Sequence, residues 1–152
     1  MILVSALLIG IIAGLRAMTA PAVVSWAAGL GLIHLDGTPL HFLAHLVTRW
    51  IFTVAALGEL VNDKLPKTPS RKAPPSFIAR IVMGALAGAA IGASQQSLLG
   101  GLIAGAVGAV IGTLGGAAFR GMLARAFGKD LPAALIEDAI AIIGGILIVT
   151  HI

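Results

Sequence analysis

GELVNDKLPKTPSRKAPPSFIAR (58–80) divides the chain and decides how the rest is read. It carries two carboxylates one helical turn apart, Glu59 and Asp63, together with five basic residues and four of the seven prolines. Long apolar, glycine-rich runs flank it on both sides. The 152 residues are 59% hydrophobic and only 11% charged, with a mean hydropathy of +1.06. Soluble domains carry about 25% charged residues, so most of this surface is expected to face lipid. The length allows one domain of about six membrane segments of roughly 20 residues each. The fold class expected is an all-α bundle in the membrane, with residues 1–152 forming a single domain.

Proline, glycine and polar punctuation place the segments at about 2–18, 22–33, 40–63, 76–93, 98–119 and 131–150. MILVSALLIGIIAGL (1–15) lacks the basic leading region of a signal peptide and is expected to stay as the first segment. The second is short enough to be re-entrant rather than spanning. The third begins among His41, His45 and Arg49. Lys64, Lys67, Arg71 and Lys72 fill one connection, and Arg120, Arg125 and Lys129 lie around another. Both are expected on the cytoplasmic side of a multi-pass membrane protein. The pI near 10.4 therefore points to topology and anionic lipids, not to nucleic acid. No cysteine is present, which removes disulfide and thiol chemistry.

With this topology Arg16, Glu59, Asp63, Lys64, Arg71, Arg80, Arg120, Glu137 and Asp138 collect toward one side. Like charges at i and i+4, as at Glu59 and Asp63, repel unless compensated, and an acid inside an apolar segment needs a partner. Gly84, Gly88 and Gly92 form a row that Arg80 continues; Gly108, Gly112 and Gly116 form another that Arg120 continues. Small residues four apart let helices approach closely in lipid. If the two rows face each other, Arg80 and Arg120 arrive side by side, ready for carboxylates or an anionic ligand.

These charges have two readings: interhelical ion pairs that fix topology, or a polar site for a solute, an ion or a lipid headgroup. His34, Asp36, His41 and His45 fall at the opposite end. His41 and His45 have the one-turn spacing of a shared metal, which Asp36 could join, and interfacial histidines without a metal have the same spacing. No cofactor is called for, although a divalent metal would suit the acids. Phosphate loops, nucleophile elbows, zinc-protease helices and dinucleotide fingerprints are all absent.

GLRAMTAP (14–21), ALGELVNDKLPKTPSR (56–71), IARIVMGAL (78–86) and LPAALIEDAIAI (131–142) together resemble a bacterial membrane family, domain of unknown function 4126. The resemblance covers nearly the whole chain. It implies a multi-span inner-membrane protein and carries over no catalytic residue. The function expected is a small transporter or channel-like protein, with a cytoplasm-facing charged pocket for an anionic or zwitterionic solute, acting as a homo-oligomer. The alternatives are a membrane-embedded enzyme acting on phosphorylated lipid intermediates and a structural or assembly protein without a substrate.

Overall fold

The computed structural model describes residues 2–35, 37, 40–62, 74–128 and 130–150. Among them the chain forms six α-helices, a short 3-10 helix at His41–Ala44 and no strand. The helices are α1 (Ile2–Leu15), α2 (Thr19–Gly29), α3 (Leu46–Asn62), α4 (Pro74–Ala93), α5 (Leu98–Phe127) and α6 (Asp130–Thr150).

Two helix ends show why the observed boundaries differ from those expected. Apolar sequence runs on to Ile33, yet α2 stops at Gly29 because Gly31 adopts φ +84°. Leu32 N–H then donates to Ala27 O (2.8 Å) and Gly31 N–H to Ala28 O (3.3 Å), the pairing that closes a helix around a left-handed residue. At its start, α2 accommodates Pro21 within the first turn, where a missing N–H costs nothing. The turn from α4 to α5 uses the same closure with a less suitable residue. Gln96 stands at φ +61°, and Ser97 N–H donates to Gly92 O (2.8 Å). A left-handed L-residue costs about 1–2 kcal/mol, so Gln96→Gly is expected to stabilise the fold by about 1 kcal/mol in chemical denaturation. Gly128, at φ +70°, ends α5.

The centre of the molecule is α1, α4 and α5, packed backbone to backbone. A Cβ added to Gly105 would overlap the Gly84 carbonyl and come within 3.0 Å of Gly88 Cα; one added to Gly10 would overlap the Gly105 carbonyl. The row Gly84, Gly88 and Gly92 therefore meets Gly101, Gly105 and Ala109, while Gly108 and Gly112 meet Leu7 and Ile11 of α1. This differs from the pairing expected of the two rows. The short 94–97 turn sets the register: each step back along α4 must be matched by an equal step forward along α5.

The residue pairings also fix chain direction. Gly10 meets Gly105 and Gly14 meets Thr113, so α1 and α5 run parallel, with α4 antiparallel to both. Ile12 meets Gly144 and Arg16 meets Asp138, so α6 runs against α1. Val23 meets Gly145, which sends α2 back alongside α6. Trp26 bonds to Thr53 of α3 and Met18 to Glu59, so α3 returns toward the α1–α2 turn. The helices alternate in direction, and the α1–α2 turn, the end of α3 and the start of α4 share one end. α5, about 45 Å long, continues well beyond that level.

Large apolar side chains point outward on the long helices, as at Val54, Val61, Leu99, Ile103 and Ile143, whereas the interior is mostly alanine and glycine. By length and composition α5 is the one helix among the described residues able to cross a membrane; α1 and Phe77–Ala93 are apolar but shorter.

Candidate functional site

The α1–α2 turn, Arg16–Met18, is where the charged side chains meet. Its geometry follows from the two helix ends it joins. The end of α1 leaves carbonyls without intrahelical partners, and the start of α2 leaves N–H groups in the same condition. Glu59 reaches in from α3 and accepts hydrogen bonds from Ala17 N–H (3.1 Å) and Met18 N–H (3.2 Å), one on each carboxylate oxygen. It caps α2 from another helix, an anion at the positive end of the helix dipole. Arg80 does the converse for α1: its Nη1 donates to Gly14 O at 2.8 Å, a cation at the negative end. Arg80 and Arg16 both lie close enough to act electrostatically on Glu59.

Arg16 is fully buried and turns toward α6. Its Nε donates to Asp138 Oδ1 at 2.6 Å, its Nη2 pairs with the same oxygen, and its Nη1 lies 3.4 Å from Glu137 Oε1. Glu137 is 1% exposed, Arg80 6% and Asp138 8%. Removing such charges from water costs several kcal/mol per ion, repaid only by close partners, which explains why they occur together. Two hydroxyls complete the surroundings. Thr19 opens α2, and Thr113 of α5 lies against Gly14. Both are buried, and among the described residues neither Oγ1 has a hydrogen-bond partner. Buried hydroxyls are nearly always bonded, so these two stand out as unsatisfied groups among the described residues beside the charged cluster.

Residues 3–151 match the family model for Domain of unknown function (DUF4126). The chain belongs to this family. No curated protein and no solved structure matches it.

Five of the sequence-derived candidates of this DUF4126 chain, Arg16, Glu59, Arg80, Glu137 and Asp138, converge on the turn. Arg120 does not join Arg80: the α4–α5 register places it about 10–16 Å further along α5, half-buried and engaged in its own contacts. Asp63, Lys64, Arg71 and Asp36 lie outside the described residues. His34, His41 and His45 are exposed near the opposite end, where Val47 N–H donates to His45 Nδ1 at 3.2 Å. Among the described residues no group of three or more His, Asp or Glu is placed to hold a metal. Glu59, one of the acids that a divalent metal would suit, directs both oxygens to backbone N–H groups.

Sequence reasoning passed over Thr19, Thr113 and the Gly14 carbonyl. A signal existed for Thr113, the one polar side chain in residues 98–119. Glu59→Ala removes the cap from α2 and is expected to cost about 1–2 kcal/mol in thermal unfolding, with Glu59→Gln losing less because one acceptor oxygen remains.

Proposed function

We propose that this DUF4126 protein is a small multi-pass protein of the bacterial inner membrane, in which the alternating helices cross the bilayer and the α1–α2 turn is a solute-binding centre of a transporter or channel. Membrane residence is supported by the outward display of large apolar side chains around an alanine and glycine interior, the arrangement suited to lipid. The solute-binding role rests on one observation. A dense, buried charge cluster is flanked by two buried hydroxyls that have no partner within the described protein.

The balance of charge narrows the solute. Two guanidinium groups meet three carboxylates, and Arg16 and Arg80 are both already engaged. A simple anion would have to displace Asp138 or the Gly14 carbonyl and would then face the remaining acids. A zwitterion matches better: its carboxylate takes over from Asp138 on Arg16 while its ammonium meets the released acid. Half-helix ends lining a polar centre are a recurring way to bind such solutes in transporters. At 152 residues a single copy offers little room for a path, so the working unit is a homo-oligomer.

A structural reading has its own support, since Glu59 and Arg80 cap helix ends and Arg16 ties α1 to α6. Reconstitution separates the two. Proteoliposomes are expected to exchange labelled amino acids in preference to small carboxylates, and Asp138→Asn to abolish the exchange while the chain still folds. Wild-type protein that exchanges neither class would return the cluster to a purely structural role.

A further inference from the structure

A second site lies at the other end of α2. A groove of about 440 Å3 runs between α2, α3 and α6, walled by Val23, Trp26, Leu30, Ala56, Leu57 and Ile146. That volume is within the range of about 300–1,000 Å3 typical of ligand sites, and nearly all of its lining is apolar. The groove follows α2, whose 11 residues measure about 16 Å, close to half the roughly 30 Å hydrocarbon thickness of a bilayer. One end reaches Thr19 beside the α1–α2 turn, and the other passes Trp26 and Thr53 to reach Leu30 and Leu32.

At that second end stands Arg49. Its guanidinium carbon lies 5.0 Å from the centroid of the Trp26 ring, its side chain crosses α2 at Gly29, and its carbonyl accepts from Thr53 Oγ1 at 2.8 Å. Trp26 Nε1 donates to Thr53 Oγ1 at 2.7 Å, and Trp50 stacks edge-on to Trp26 at 5.4 Å. Trp26 thus holds Arg49 in place, and Trp50 braces the Trp26 ring. Arg49 Nε is buried without a hydrogen-bond partner, and among the described residues no carboxylate pairs with this guanidinium. A held cation with no carboxylate partner among the described residues, at the mouth of an apolar groove one leaflet long, is complementary to an anionic amphiphile. Guanidinium grips phosphate in a fork, and tryptophan favours the headgroup level.

We propose that the groove holds one acyl chain of an anionic phospholipid, with its phosphate on Arg49 and Trp26. This rests on the membrane reading above but not on the solute. The test uses the full chain in nanodiscs of mixed phosphatidylglycerol and phosphatidylcholine, followed by native mass spectrometry of the lipids retained after mild delipidation. Wild-type protein is expected to retain phosphatidylglycerol over phosphatidylcholine by about tenfold, because both headgroups offer a phosphate but the choline of phosphatidylcholine offsets the net negative charge that Arg49 attracts. Arg49→Gln should remove the preference while lipid is still retained, Arg49→Lys should keep only part of it because lysine offers charge without the fork, and Ala56→Phe should exclude both lipids by filling the groove. The proposal is overturned if wild type retains both lipids equally, neither lipid, or a free fatty acid instead, or if Arg49→Gln keeps the preference. A chain washed from membranes by alkaline carbonate contradicts the membrane reading itself; a membrane-held chain with an empty groove contradicts this proposal alone.

Discussion

Arg16→Met is expected to destabilise the protein by about 3–5 kcal/mol, the cost of leaving a buried carboxylate without its partner. Arg16 is fully buried, and its Nε and Nη2 both serve Asp138 while Nη1 faces Glu137. Methionine fills similar space but leaves both acids facing apolar surroundings. The companion Arg16→Met/Asp138→Asn is expected to recover part of the loss, because the amide removes the charge that Arg16 had balanced. Equilibrium unfolding in mixed micelles gives the coupling between the two sites, which for residues in one ion-pair network runs to about 0.5–3 kcal/mol. A single variant within 1 kcal/mol of wild type would show that the pair contributes little to holding α1 against α6.

Gly105→Val is expected to be at least as damaging, at about 3 kcal/mol or more. Overpacking usually costs about 1–3 kcal/mol because neighbouring side chains can move aside. Here the obstructing atoms are backbone, the Gly84 carbonyl and the Cα of Gly88, so α4 as a whole must shift away from α5. Gly115 supplies the control. A Cβ there meets nothing within 4 Å, and Gly115→Ala is expected to stabilise by up to about 1 kcal/mol through helix propensity. Two glycines ten residues apart on one helix should respond with opposite sign in the same thermal unfolding assay.

Much of this architecture could be read from the residues. Apolar run length and the polar turns pointed to about six helical segments, because proline, glycine and charge punctuate such a sequence strongly, and the described residues form six α-helices. The convergence of Arg16, Glu59, Arg80, Glu137 and Asp138 followed from counting segments and asking which charges lie near the same ends. What stayed hidden depended on register and on backbone atoms. Pairing by glycine spacing alone put Gly108, Gly112 and Gly116 against α4, since α5 carries two such rows and spacing does not choose between them. The end of α2 at Gly29 turned on one left-handed glycine, and apolar composition continued past it. Glu59 looked like half of a repelling pair with Asp63. Its observed partners are Ala17 and Met18 N–H, backbone donors from a segment more than forty residues away, which no side-chain pattern reveals. Thr19 and Thr113 gained meaning only once burial showed that their hydroxyls lack partners among the described residues.

The measurement that bears most directly on the membrane-crossing bundle is side-specific labelling in intact cells. The chain has no cysteine, so Gln95→Cys and Gly128→Cys each provide a sole thiol, one in the exposed α4–α5 turn and one beyond the far end of α5. Alternating helices with the basic connections in the cytoplasm predict that a membrane-impermeant maleimide labels Gln95→Cys from outside and reaches Gly128→Cys only after the membrane is opened. Labelling of both cysteines from the same side would contradict a bundle that crosses the bilayer, and with it the placement of the charged turn toward the cytoplasmic side.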